Sequence, residues 1–271
     1  MRSILVHMYD DEGLDGRLAV AGDLARAFEG HVTCLNAIPY EASAPGEPFG
    51  LAFAAMIPVM RENAAKLKER VTTDLANEDF AWDYIEQSGT AYPCLLHNAT
   101  LADVVVMGTA EPKIGGGAPS ATLGAFITHT RTPTLVVPEG CDKIEVGAPA
   151  FVAWNGYPEG SNALRAAMPL LQRASKVYLA SVDEGQDEPG RDFPRLDGAH
   201  YLARHDIEAE VISLPKSDKK VADVLAEAAV ARDAGLMVMG AYGRSRLSEM
   251  VFGGVTRQML KSPPMPVLMA H

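Results

Sequence analysis

Cysteine is scarce: Cys34, Cys94 and Cys141 are the only three in 271 residues, odd in number and without a CxxC spacing. That excludes a disulfide framework and a cysteine zinc site, and leaves buried thiols in a reducing cytoplasm as the expectation. Long hydrophobic runs are missing too. No stretch reaches 18 apolar residues, and the opening MRSILVHMYDDEGLDG turns charged after a short apolar run, so neither a membrane span nor a signal peptide is expected. Basic charge is in deficit: 24 Lys and Arg against 35 Asp and Glu give a net charge of −11. A broad grip on nucleic acid or on an anionic membrane surface is thereby excluded, although a local basic site is not. The deficit is uneven. Residues 1–143 hold 10 basic against 19 acidic residues and residues 144–271 hold 14 against 16, so an anionic ligand fits more easily in the second half.

Several chemistries are absent as patterns. There is no G-x-x-x-x-G-K-[ST] phosphate loop and no G-x-S-x-G nucleophile elbow. His200 and His205 lie five apart on a predicted helix, without a metal-ligand spacing, and read as solvated or helix-end histidines. The acidic run VDEGQDEPGRD at 182–192 lacks the glycine and glutamate spacing of a calcium loop and reads as a solvated segment. No nucleophile, base and orienting group occur together, so no catalytic residue is assigned.

What is present is a composition of 48% hydrophobic and 22% charged residues, that of an ordinary folded protein, in a chain long enough for two cores. An internal repeat supports two. ADVVVMGTAE at 102–111 is matched by AGLMVMGAYG at 234–243, with the Met-Gly glycines 132 residues apart. A glycine-containing loop, a short helical segment and a Pro-flanked strand follow each, TPTLVVP at 132–138 and MPVLMA at 265–270. Upstream, SILVHMYD at 3–10 answers to AFVAWNG at 150–156. The chain reads as a tandem duplication, 1–143 and 144–271, joined within PEGCDKIEVGAP.

In the second half apolar strands alternate with helical periodicity five times: FVAWN, KVYLASV, IEAEVISL, LMVMG and VLMA are the strands. Ala163, Ala166, Ala167, Leu170 and Leu171 form one helical stripe, with Ser161 expected to cap its start. Short apolar strands separated by helices imply parallel sheets covered on both faces, hence an α/β fold of two doubly wound domains. Trp154 reads as a core aromatic. The first half inserts PYEASAPGEPFGLAFAAMIPVM before a long helix through RENAAKLKERVTTDLA. We expect a surface loop there. Its apolar residues Phe49, Leu51, Phe53 and Met56 predict packing against the neighbouring domain, with a ligand lid as the other reading.

The segment LMVMGAYGRSRLSEMVFGGVTRQML carries the sharpest signal. In an open parallel sheet, ligands sit outside the carboxyl ends of the strands where strand order reverses. Glycines there permit positive φ and close backbone approach, a helix starting near Val255 and Thr256 adds a partial positive charge, and Arg244 and Arg246 add two cations. The spacing Gly240-x2-Gly243-x9-Gly253, after a strand ending in Met239 and before Val255-Thr256, resembles the nucleotide-binding signature of the universal stress protein family. The resemblance covers 148–271 and, more loosely, the first half.

That resemblance implies tandem Rossmann-like domains, each a five-stranded parallel sheet flanked by helices, paired as an intramolecular pseudo-dimer, with a further homodimer left open. It implies ATP or another adenine nucleotide as ligand, with Mg only alongside the nucleotide. By position, Gly240, Gly243, Arg244, Gly253, Val255 and Thr256 fall to the phosphate loop. Gly254 stands where the family usually has Ser or Thr, keeping the backbone N–H but not the hydroxyl. Asn155 replaces the usual Asp after the first strand, and Val182 falls where backbone groups meet the adenine. In the first half Glu111 replaces the second glycine, and Gly108 and Gly124 are 16 residues apart. A carboxylate there repels phosphate, so the first loop is expected to be degenerate.

The expected role is a cytoplasmic stress-response regulator, at most a slow ATP hydrolase, since no general base is visible. Two other readings stay open. One is a protein- or small-ligand-interaction module with a vestigial glycine loop that binds through residues 45–60. The other is an enzyme acting on an adenylated substrate.

Overall fold

The computed structural model describes residues 1–40, 50–109, 120–183, 196–215, 218–243 and 254–271, leaving aside the side chains of 50–54. The first half runs β1 (Ser3–Met8), α1 (Leu14–Phe28), β2 (His31–Ile38), α2 (Gly50–Leu75), β3 (Ala81–Ser88), α3 (Ala91–Asn98), β4 (Val104–Gly108), α4 (Ala121–His129) and β5 (Thr134–Val137). The second repeats it: β6 (Ala150–Ala153), α5 (Pro158–Leu171), β7 (Val177–Asp183), α6 (Asp197–Ala203), β8 (Ala209–Pro215), α7 (Val221–Val230), β9 (Leu236–Gly240), α8 (Gly254–Lys261) and β10 (Val267–Ala270).

The strands form one sheet in the order β3-β2-β1-β4-β5-β10-β9-β6-β7-β8. All neighbours are parallel except β5 and β10, which pair antiparallel with Val136 opposite Val267. Each half is thus a five-stranded parallel sheet, and the two join edge to edge about a pseudo-two-fold. Alternation along the strands explains both covered faces. Ile4, Val6 and Met8 enter one core layer and Leu5 the other, as Leu236 and Val238 part from Met237 and Met239. Both layers run through the β5–β10 joint, and fully buried side chains such as Leu5, Phe126 and Phe151 each contribute roughly 1.5–3 kcal/mol.

Four expectations are corrected. The stretch after residue 49 is not loop: α2 begins at Gly50 and carries Pro58 inside it. Met56 is 54% exposed on that helix, not packed on the other half, while Phe49 and the side chains of Leu51 and Phe53 lie outside the described residues. Helix α5 starts at Pro158, whose missing N–H costs nothing at a first helical position. Ser161 therefore sits inside the helix, and its hydroxyl donates back to the Tyr157 carbonyl at 3.1 Å instead of capping. Finally, Gly124 is a buried residue of α4, not a loop glycine. Trp154 is a core residue as expected, with Gly198 of α6 packed against its ring. The cysteines are free thiols; Cys34 and Cys94 are buried and Cys141 partly so. Among the described residues, no helix is long and apolar enough to cross a membrane.

Candidate functional site

Within each half the chain moves outward from β1 to β3, or β6 to β8, and then returns to the opposite side of the starting strand. The reversal lies between β6 and β9 in the second half, where Ala153 pairs with Met239. Past these residues the two strands release Asn155 and Gly240 at one edge. Strand β6 stops at Ala153 opposite Ala180, whereas β7 continues through Val182 to Asp183, so Val182 projects beyond its inner neighbour while pairing with Leu214 on the other side.

Local chemistry shapes this edge. Asn155 is exposed and its Oδ1 accepts the Tyr157 N–H at 3.1 Å, an Asx turn completed by Gly156 at φ 70°. Gly240 abuts the beginning of α5: a Cβ on it would lie 2.5 Å from the Gly160 nitrogen and 2.9 Å from the Glu159 carbonyl oxygen. Its lack of a side chain serves strand–helix packing. Gly243 is open, the nearest atom to its imagined Cβ being Glu159 Oε2 at 4.0 Å. Among the described residues of the loop, the positive φ falls on Tyr242, at 61°, and not on Gly240, Gly243 or Gly254. Tyr242 donates its N–H to Thr256 Oγ1 at 3.4 Å and its phenol to the Gly124 carbonyl of the first half at 3.3 Å. Burial pushes that phenol's pKa upward.

At the start of α8, Gly254 is exposed, with no atom of the described residues within 4 Å of a Cβ placed on it, Val255 packs on the core, and Thr256 is buried. Met239 is buried in β9. Arg244, Arg246 and Gly253 lie outside the described residues, as does Glu111 of the first half. The structure thus brings Asn155, Gly240, Gly243, Gly254 and Thr256 to one edge, with Val182 on the adjoining strand. The beginnings of α5 and α8 both meet the Gly240–Gly243 segment, and two helix N-termini at one place favour an anion. Among the described residues no group of three or more His, Cys, Asp or Glu is placed to hold a metal.

The corresponding edge of the first half is filled from within. Ile4 pairs with Val104 as Ala150 pairs with Leu236, so Tyr9 takes the place of Asn155 and Arg17 that of Ala163. The Arg17 side chain is fully buried. It donates to the carbonyls of His7 and Tyr9 at 3.2 and 2.9 Å and to both oxygens of Asp11, and it lies 4.0 Å from the centroid of the Tyr9 ring. A Cβ on Gly108 would sit 2.7 Å from the Arg17 Nη1 and 2.8 Å from the Tyr9 hydroxyl. Sequence reasoning missed Arg17, Tyr242 and Glu159. Arg17 had a signal, a charge standing in the helical stripe that its repeat fills with Ala163. Two cavities, of about 520 and 470 Å³, flank α2 elsewhere in the first half, one beside Tyr40 and Lys68 and the other between α1 and α2.

Among known families, the one described as the universal stress protein family matches residues 151–271. No curated protein matches the chain. Of solved structures, a universal stress protein from Archaeoglobus fulgidus DSM 4304 is similar in fold, with 14% identity, a TM-score of 0.75 and coverage of 98% of this chain and 97% of that one. A functionally unknown protein from Pseudomonas aeruginosa PAO1 is similar at 14% identity and a TM-score of 0.62, covering 100% of this chain and 92% of that one. At these identities the likeness is one of fold.

Proposed function

We propose that the chain, whose residues 151–271 match the universal stress protein family, is a tandem member, with domains 1–143 and 144–271, whose second domain binds ATP or a related adenine nucleotide. The observation that carries this reading is the convergence of Gly240, Gly243 and the starts of α5 and α8 on one edge of the sheet. The phosphates would lie along the Gly243 and Gly254 backbone, and the adenine between Asn155 and the projecting end of β7 at Val182. The first domain acts as an intramolecular partner, its own edge being occupied by Arg17 and Tyr9. The role is that of a ligand-responsive stress regulator in the cytoplasm.

A thermal-shift titration with ATP on protein freed of nucleotide tests this. Stabilisation should grow with concentration, by about 2.7 kcal/mol at 100 times the dissociation constant. No shift at millimolar ATP would sink the nucleotide reading. It would favour an interaction module instead, a role that the exposed Met56 and Val59 of α2 support.

A further inference from the structure

Glu159 is a carboxylate at the place where an anion is expected. It lies in the first turn of α5, and its Oε2 is buried without a hydrogen-bond partner among the described residues. The same oxygen faces Gly243, 4.0 Å from where that residue's Cβ would stand, and Gly243 is the exposed end of the edge just described. The backbone holds it there. Gly240 touches the Glu159 carbonyl group and the Gly160 nitrogen so closely that the turn bearing the carboxylate is fixed against β9. A phosphate entering beside Gly243 would meet a negative oxygen already withdrawn from water, where like charges repel most strongly. A divalent cation removes the conflict. Magnesium is commonly held by one or two carboxylates together with substrate phosphates and several waters, which is the set that Glu159 and a polyphosphate supply.

We propose, resting on the nucleotide reading above, that Glu159 makes polyphosphate binding conditional on a divalent cation, which it shares with the phosphate oxygens. The carboxylate rejects the metal-free nucleotide and selects its magnesium complex. Sharing the cation with the phosphates, Glu159 recruits it together with the nucleotide and not before it.

The experiment is calorimetry on the full chain with ATP in excess magnesium, ATP in chelator, adenosine, and magnesium chloride alone, for wild type and for Glu159→Gln. Wild type should bind ATP at least tenfold more tightly with magnesium. Glu159→Gln should gain affinity for metal-free ATP and lose most of that difference, while its affinity for adenosine stays unchanged. Glu159→Ala, which removes the charge without adding an amide, should reproduce the result, and circular dichroism checks that both variants fold. If ATP binds and its magnesium dependence is the same in wild type and in both folded variants, the role of Glu159 is overturned and nucleotide binding stands. Tight binding of magnesium alone would overturn joint recruitment. If neither ATP nor adenosine binds wild type under any condition, the nucleotide reading fails and takes this inference with it.

Discussion

The Arg17 guanidinium, with no exposed side-chain surface, spans both carboxylate oxygens of Asp11, at 2.7 Å from Nη2 and 3.1 Å from Nη1. This pair fills the edge of the first half that corresponds to the proposed nucleotide site of the second. Breaking a buried pair from one side strands the other charge. Arg17→Met is expected to cost about 3–5 kcal/mol in urea denaturation. Arg17→Met with Asp11→Leu should recover part of that loss, and ATP binding by the folded variants should be unchanged. A single substitution that leaves stability untouched would show that the pair does not hold the first half together.

How far this arrangement was legible depends on which signals are local. The strands VVVMG and LMVMG announce themselves by apolar run and terminal glycine, and the repeat of the two fixes the doubled fold. The antiparallel union of β5 and β10 had no such mark, because edge pairing follows from how the two halves dock. The sequence places the start of α2 too late because Pro58 disfavours a helix interior, yet the helix runs through it. The glycine spacing points to an anion cradle but does not show that Gly240 serves packing and that Tyr242 takes the positive φ. The packing role depends on Glu159 and Gly160 of α5, about eighty residues earlier in the chain.

Gly240 and Gly243 should therefore respond differently to the same change. Gly240→Val places carbon within 2.5 Å of the Gly160 backbone, an overlap no side-chain rotation relieves. A loss of at least about 1–3 kcal/mol in stability is expected. A Cβ on Gly243 meets no described atom nearer than 4.0 Å, so Gly243→Val should fold normally, but its side chain blocks close approach of a phosphate and ATP affinity should fall tenfold or more. Equal behaviour of the two variants in denaturation and calorimetry would contradict this division of roles.

Thr134 lies at the joint between the halves, fully buried in β5 opposite Met269, and its Oγ1 has no hydrogen-bond partner among the described residues. A buried, unpaired hydroxyl costs about 1–3 kcal/mol, and valine has nearly the same shape without it. Thr134→Val should raise the denaturation midpoint by an amount equivalent to about 1 kcal/mol or more. Destabilisation would mean that the hydroxyl finds a partner, such as an ordered water, in solution.

Burial, aided by the Asp83 carboxylate, pushes the Cys34 thiol from an ordinary 9.0 up to about 12. The folded state thus favours the protonated thiol more than the unfolded chain does. The resulting stabilisation is fully present below about pH 9 and is lost as pH rises towards 12, at about 1.4 kcal/mol per pH unit. Cys34→Ala lacks this term. Its stability should start lower at pH 8, from the lost packing, and then decline less steeply than wild type between pH 9 and 11. Parallel pH profiles would remove Cys34 from the alkaline transition.

Gly254 is the position where the family resemblance calls for a hydroxyl and this chain has none. Among the described residues nothing lies within 4 Å of a Cβ placed there, and the residue opens α8 at an exposed position. Serine is well tolerated at helix starts, so Gly254→Ser should leave stability within about 0.5 kcal/mol. If phosphate lies at the start of α8, the new O–H donates to it, and a hydrogen bond to a charged group contributes about 1.5–3 kcal/mol. ATP should then bind about tenfold more tightly, while adenosine, which has no phosphate, should bind as before. A gain for both ligands would place the hydroxyl against the nucleoside instead. No gain for either would put the phosphates away from this helix and point to the Gly243 backbone as the principal contact.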